Sequence, residues 1–218
     1  GAGTVILSSA NTFDGGTNVS AGTLRMMNAA SLGTGTSTIS NATVQLGAAF
    51  GSNVTNNFNL TGNGTISDNN VTGSNAITGT VALSGTSNTI NTSSTFALNM
   101  NGVISGSGTF NKGGLGTMVL SQANTFTGTL DINGGMVTLK NNESIGASNA
   151  TAIIRSTGKL QLAGTSSLNV ANALTLMSGS QLLNGPVFAN TVSGNVAVNG
   201  SSTINIASGT MTLTGALT

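Results

Sequence analysis

The chain has 218 residues, of which 38% are hydrophobic and only 4% are charged. It contains no His and no Cys, which excludes disulfides, thiol catalysis, His-based catalysis and zinc sites built from these residues. The net charge is +1 and the charges are scattered, so we expect no nucleic-acid surface. No apolar run reaches the length of a transmembrane helix, so we expect no membrane contact in this segment.

The spacing of the apolar residues predicts β-strands. They are mostly Val, Ile, Leu and Ala, standing singly among Thr, Ser and Asn, as in Val44-Gln45-Leu46 and Ile204-Asn205-Ile206. This apolar content at low charge is the opposite of the disordered composition. Gly-Thr-apolar triplets, which are expected to turn a corner and begin a strand, start at Gly3, Gly22, Gly64, Gly79, Gly108, Gly116, Gly128 and Gly209.

Strands that follow corners at near-regular intervals predict a solenoid of about ten coils, each of about 20 residues. A two-sheet β-sandwich is the alternative fold, but it would call for more aromatic residues, hairpin dipeptides and surface charge. Corner asparagines such as Asn11, Asn41 and Asn124 are expected to form hydrogen-bonded ladders between stacked coils. The single proline, Pro186, is expected to mark a local loop.

The chain contains a long internal repeat. Residues 1–33 align without gaps with residues 114–146, at an offset of 114 − 1 = 113, and this alignment pairs Leu7 with Leu120. Farther along, Val44 matches Leu160, so the offset grows to 160 − 44 = 116. We therefore predict one β-solenoid over residues 1–218, made of two diverged super-repeats of about 1–113 and 114–218.

Residues 98–128 read LNMNGVISGSGTFNKGGLGTMVLSQANTFTG. This pattern resembles the passenger-associated transport repeat, also called the autotransporter-associated β-strand repeat. The resemblance rests on Leu98, Gly102, Ile104, Gly106, Gly108, Phe110, Lys112, Gly114, Gly116, Thr117, Leu120, Asn124, Thr125, Phe126 and Gly128. It implies a right-handed parallel β-helix in the secreted passenger of a type V system. It also implies a location outside, or on the surface of, a Gram-negative-type bacterium.

The sequence offers no catalytic, cofactor or metal residues. Acid–base cleavage of polysaccharides uses paired carboxylates, but Asp14, Asp68, Asp131 and Glu143 occupy unrelated repeat positions. We interpret them as solvated turn charges; their distances in space are left open by the sequence. The Gly-x-Gly pairs lack the third glycine of a dinucleotide fingerprint and the Lys-Ser/Thr of a phosphate loop, so we interpret them as corners.

These observations favour an extracellular structural fibre or adhesin segment that is not an enzyme and has no cofactor. Two alternatives stay open, a polysaccharide-acting β-helix enzyme and a passive stalk that presents another domain. Glycans or matrix are open as partners, beside other copies of this chain.

The two ends of the chain read as ordinary repeat sequence. Residues 213–218 followed by residues 1–5 give LTGALTGAGTV, which resembles MNGVISGSGTF at residues 100–110. We therefore expect an end-to-end junction, made either by the continuation of a longer repeat chain or by head-to-tail stacking of copies. Its predicted residues are Gly215, Leu217, Gly1, Gly3 and Val5, which match Gly102, Ile104, Gly106, Gly108 and Phe110.

Overall fold

The computed structural model describes residues 1–93, 95–185 and 188–218, so Pro186 lies outside the described residues. These residues form 25 β-strands and no helix. The first twelve strands are β1 (Thr4–Leu7), β2 (Thr17–Val19), β3 (Thr23–Met26), β4 (Ser37–Ser40), β5 (Thr43–Leu46), β6 (Phe58–Thr61), β7 (Thr65–Asp68), β8 (Asn75–Ile77), β9 (Val81–Leu83), β10 (Ser87–Thr92), β11 (Ala97–Met100) and β12 (Ile104–Gly106). The others are β13 (Thr109–Gly113), β14 (Thr117–Leu120), β15 (Thr129–Ile132), β16 (Gly135–Leu139), β17 (Thr151–Ile154), β18 (Gly158–Leu162), β19 (Asn169–Val170), β20 (Ala173–Met177), β21 (Gln181–Asn184), β22 (Ala189–Val192), β23 (Val196–Asn199), β24 (Thr203–Ile206) and β25 (Thr210–Leu213).

The strands stack into three faces, which the chain visits in turn. The first face is a ten-stranded sheet in the order β1-β3-β5-β7-β10-β13-β15-β17-β20-β23. The second face is a seven-stranded sheet from β8 to β24. The third face carries two shorter sheets, β2-β4-β6-β9-β12 and β19-β22-β25.

The pairing confirms the predicted all-β parallel β-helix. Strands pair in parallel with the equivalent strand of the next coil, so Thr4 in β1 meets Thr23 in β3, and Thr65 in β7 meets Thr89 in β10. The ten strands of the first face mark nine full turns, close to the predicted ten coils.

The core consists of columns of inward-facing side chains that run along the solenoid. On the second face Met100, Leu120, Leu139 and Leu162 occupy successive paired positions, and all are buried. Leu120 thus has the inward orientation expected from the alternation. Each fully buried aliphatic side chain of this size contributes about 1.5–3 kcal/mol relative to an exposed one.

Glycine is required where neighbouring coils approach closely at a corner. Gly22 and its repeat partner Gly135 have φ values of 72° and 64°. A Cβ atom there would lie 2.5 Å from the carbonyl oxygen of Gly3 and 2.3 Å from that of Gly116. Any larger residue would therefore be strained in backbone conformation and would push the coils apart.

Corner asparagines join coils through the main chain. Asn11 Nδ2 donates to the Ser31 carbonyl at 2.7 Å, and the repeat partner Asn124 Nδ2 donates to the Ser144 carbonyl at 2.8 Å. Asn41 Oδ1 likewise accepts from a main-chain N–H of the next coil. At these corners the asparagines therefore join the coils as expected, but each side-chain amide binds the backbone of the neighbouring coil and not another asparagine side chain.

Candidate functional site

Ten of the residues that carry the resemblance are predicted to form the structural repeat motif, and they lie between Gly106 and Gly128 along one turn of the solenoid. Gly106 ends β12 on the third face, Thr117 and Leu120 belong to β14 on the second face, and Gly128 precedes β15. The remaining members are the corner residues Gly108, Gly114 and Gly116 and the third-face residues Asn124, Thr125 and Phe126. The motif therefore describes a complete coil and not a pocket.

Asn124 and Phe126 hold this coil to its neighbours. Asn124 Oδ1 accepts from the main-chain N–H of Ile104 at 2.8 Å, while its Nδ2 donates to Ser144. Phe126 is fully buried and packs edge-on against Phe110, with ring centroids 5.7 Å apart. Both side chains are therefore structural.

Lys112 is a buried cation that lies inside the solenoid. It pairs with Ile90 on one side and Ile132 on the other, so its side chain occupies an apolar inward column. Its ammonium donates to the carbonyls of Gly113 and Gly114 at 2.8 and 3.1 Å, and to that of Gly134 in the next coil at 3.1 Å. Burial lowers the pKa of Lys112 to about 8. The alternation from Phe110 indicates this inward orientation, although charge alone suggests the surface.

Asp68 is also buried, which corrects its interpretation as a solvated turn charge. It occupies an inward column between Leu46 and Thr92. Its Oδ1 accepts from the Asn70 N–H at 3.2 Å and from Asn75 Nδ2 at 3.0 Å. Burial raises the pKa of Asp68 despite these two hydrogen bonds. The sequence signal that was missed is again the alternation, because Asp68 stands two residues after the inward-facing Ile66.

Asp131 is likewise not a free turn charge. Arg155 Nε and Nη2 each donate to one oxygen of its carboxylate at 2.7 Å. These hydrogen bonds, together with the charge of Asp131, raise the pKa of Arg155. Asp14 and Glu143, in contrast, are exposed as expected.

Asp68 and Asp131, the two carboxylates on the first face, are too far apart to form an acid–base pair. Asp68 lies on the fourth strand of the first sheet and Asp131 on the seventh, so three strand spacings of about 4.8 Å separate them by about 14 Å along the axis. Glycosidase carboxylates lie about 5–9.5 Å apart. Asp14 lies in the first coil, and Glu143 lies beyond β16 on the side of the third face. Within the described residues, no cluster of three or more acidic groups could hold a metal ion.

A groove of about 490 Å³ opens on the third face, where no strand is assigned between β12 and β19. Its walls come from three successive coils, and they are polar apart from two alanines and a glycine. The lining residues are Asn124, Thr125, Asn142, Glu143, Gly146, Ala147, Ser148, Asn169, Ala171 and Asn172. Of the four carboxylates of the chain, the groove contains only Glu143. Sequence reasoning did not single out this groove.

The predicted junction residues lie at the two edges of the first face. Val5 is in β1 and pairs with Leu24, while Leu217 pairs with Val196. Leu217 therefore lies on the first face, whereas Ile104, its match in the sequence comparison, lies on the third. Gly1, Gly3 and Gly215 accompany them, and Gly215 stacks on the corner of Gly194. Contact between the two edges stays a prediction.

The described stretches 1–93, 95–185 and 188–218 include no helix that is long and apolar enough to cross a lipid bilayer.

Comparison with known proteins identifies the repeat. Residues 1–26 and 110–139 match the family model described as Passenger-associated-transport-repeat. The two matches end at equivalent positions, since 139 − 26 = 113 is the offset of the internal repeat. No curated protein and no solved structure matches the chain. The resemblance seen in the sequence is thus confirmed over these two segments, each of which is similar to the passenger-associated transport repeat.

Proposed function

We propose that this chain is a structural or adhesive segment of an autotransporter passenger, exported by a type V route to the cell surface or beyond. The two transport repeats and the parallel β-solenoid fit such a passenger. The absence of cysteine fits a chain that crosses two membranes unfolded, because no disulfide can form on the way.

The fibre role is carried by one observation, the apolar columns that reach the open edges of the solenoid. Val5 continues the inward column of Leu24 yet is 59% exposed, and Leu217 continues that of Val196 yet is 61% exposed. Unpaired strand edges with such side chains are templates for another strand. In the proposed fibre a further coil packs on each edge, either from the same chain or from a second copy stacked head to tail. The net charge of +1 opposes this stacking very little.

The outer surface suits adhesion through hydrogen bonds. Outward positions of the strands carry mainly Thr, Asn, Gln and Ser, for example Thr43 and Gln45 in β5. These groups bond to matrix or glycans without steering by charge.

Electron microscopy of the secreted protein tests the fibre role. We expect a continuous thin fibre, with a diffraction spacing of about 4.7–4.8 Å along its axis from the stacked strands. Isolated particles of one chain length with covered ends would contradict it.

A matched pair of variants in β1 sharpens the test. Val5 faces the column, whereas Ile6 pairs with Arg25 on the outer side, and the two are 59% and 56% exposed. Val5→Asp places a charge where the next coil has to pack, so fibres should shorten or disappear. Ile6→Asp adds the same charge in the same strand and should leave the fibres intact. Equal effects of the two changes would mean that charge, and not stacking, controls assembly.

A further inference from the structure

The groove on the third face lies beside a turn of the second super-repeat. The first super-repeat contains an equivalent turn, which is held by the same hydrogen bonds. In the first copy Asn28 Oδ1 accepts from the Ala30 N–H at 2.9 Å, and in the second Asn141 Oδ1 accepts from the Glu143 N–H at 3.0 Å. The serine hydroxyl that closes each turn donates to the carbonyl of an equivalent leucine, at 3.0 Å in both copies. The backbone of the turn is thus independent of the side chains it displays.

The displayed side chains differ between the two copies. With the offset of 113, Ala29 and Ala30 correspond to Asn142 and Glu143. The first copy therefore presents two methyl groups where the second presents an amide and a carboxylate. Since the same turn forms with alanine, these polar groups are not needed to build it.

Several polar groups in the groove have no partner in the described protein. The carboxylate of Glu143 and the hydroxyls of Thr125 and Ser148 make no hydrogen bond, and all three residues are exposed. Asn142 and Asn169 use their side-chain oxygens, the first for the Asn169 N–H and the second for the Ser193 hydroxyl. Their amide N–H groups are left over as donors.

We propose that this groove binds a neutral oligosaccharide. A sugar hydroxyl donates one hydrogen bond and accepts others, and the groove supplies both kinds of partner: a carboxylate acceptor, amide donors and two hydroxyls. Ala147, Ala171 and Gly146 add small apolar surface to the lining, which suits the C–H face of a sugar ring. Glu143 repels acidic sugars, because no cation lines the groove. Its volume of about 490 Å³ lies within the usual range for ligand sites, about 300–1,000 Å³.

This inference deepens the adhesive half of the proposed function, and it can fail independently of the fibre. The probes are neutral hexasaccharides of glucose and of N-acetylglucosamine, with hexagalacturonate as the acidic counterpart, titrated into the whole chain by calorimetry and NMR. We expect one neutral hexasaccharide per chain, and binding at least tenfold weaker for hexagalacturonate. Glu143→Ala recreates the first copy's Ala30 and should weaken neutral binding at least tenfold at unchanged thermal stability.

Asp14→Ala is the control, because it removes an exposed carboxylate outside the groove, and it should bind like the wild type. Glu143→Gln keeps an acceptor and should retain more binding than Glu143→Ala. The proposal is wrong if the wild type binds neither neutral sugar, if Glu143→Ala binds as the wild type does, or if the acidic sugar binds as well. It is also wrong if basic peptides, and not sugars, bind in a Glu143-dependent way. Glu143→Ala should still form fibres, because Glu143 lies away from both edges of the solenoid, so a loss of sugar binding and a loss of fibres can be told apart.

Discussion

Lys112 should make the solenoid more stable in alkaline than in neutral solution. Its ammonium is enclosed between two isoleucine positions, with three carbonyls and no carboxylate as partners. The pKa is about 8 in the folded chain, against 10.5 for an ordinary lysine. Below pH 8 both the folded and the unfolded chain carry the proton, so the contribution of Lys112 to stability does not change with pH.

Between pH 8 and 10.5 the unfolded chain keeps this proton and the folded chain has released it. Stability rises with pH wherever the unfolded state binds more protons. A difference of about 2.5 pKa units at about 1.4 kcal/mol per unit gives an increase of roughly 3 kcal/mol from pH 7 to above pH 10.5. The neutral amine keeps two N–H donors for the three carbonyls, so one carbonyl loses its hydrogen bond from Lys112 when the proton is released.

Urea unfolding at several pH values measures this effect. The chain has no Trp and no Tyr, so the transition is followed by far-ultraviolet circular dichroism. Lys112→Met has a side chain of similar length without a titrating group, and it leaves the other four basic residues in place. The difference between wild type and Lys112→Met should grow in favour of the wild type by roughly 3 kcal/mol across this pH range. Parallel pH profiles for the two proteins would refute the reasoning.

Three further predictions concern the core and the corners. Asp68→Asn should raise the urea midpoint at pH 7. Burial raises the pKa of Asp68 in the folded chain above 3.8, so the stabilising contribution of the protonated carboxyl is lost as pH rises through this folded-state pKa. A gain of equal size at pH 3 would contradict this origin. Leu120→Asp should cost several kcal/mol, since it places an unpaired carboxylate in a sealed column, and an unchanged melting temperature would disprove the inward register. Gly146→Ala should destabilise the chain by about 1 kcal/mol or more, given a φ of 94° and a Cβ position 2.3 Å from the Phe126 carbonyl oxygen. Gly15→Ala, where a Cβ meets nothing within 4 Å, is its control and should melt like the wild type.

The periodic features of this fold could be predicted from the sequence, and the exceptions could not. Alternation around Leu120 and the corner glycines predicts parallel coils, because each strand obeys the same local rule. Asp68 was interpreted as a solvated turn charge, although its position in the alternation points inward, and the burial of Lys112 was not predicted. Asp68 is held by nearby groups, the Asn70 N–H and the Asn75 amide, which the alternation does not reveal. Lys112 also donates to the carbonyl of Gly134 in the next coil, and that contact exists only after the coils have stacked.

The groove was missed for a related reason. It depends on the interruption of strand pairing on the third face, which is a property of three coils together. One signal was nevertheless present in the internal alignment. Asn142 and Glu143 replace Ala29 and Ala30 within an otherwise matching stretch, and such a local change from apolar to polar marks a surface that the two copies use differently.

The short reach of the strand pairing also bears on how the chain acquires its structure. Thr4 finds its partner at Thr23 and Thr65 finds its partner at Thr89, in each case only one coil later in the sequence. Among the strands that the structure describes, no pairing therefore has to wait for a remote part of the chain, and each completed coil offers a ready edge to the next one. A polypeptide that emerges gradually from a narrow channel can fold in this way one layer at a time, and each layer that docks outside opposes the return of the chain.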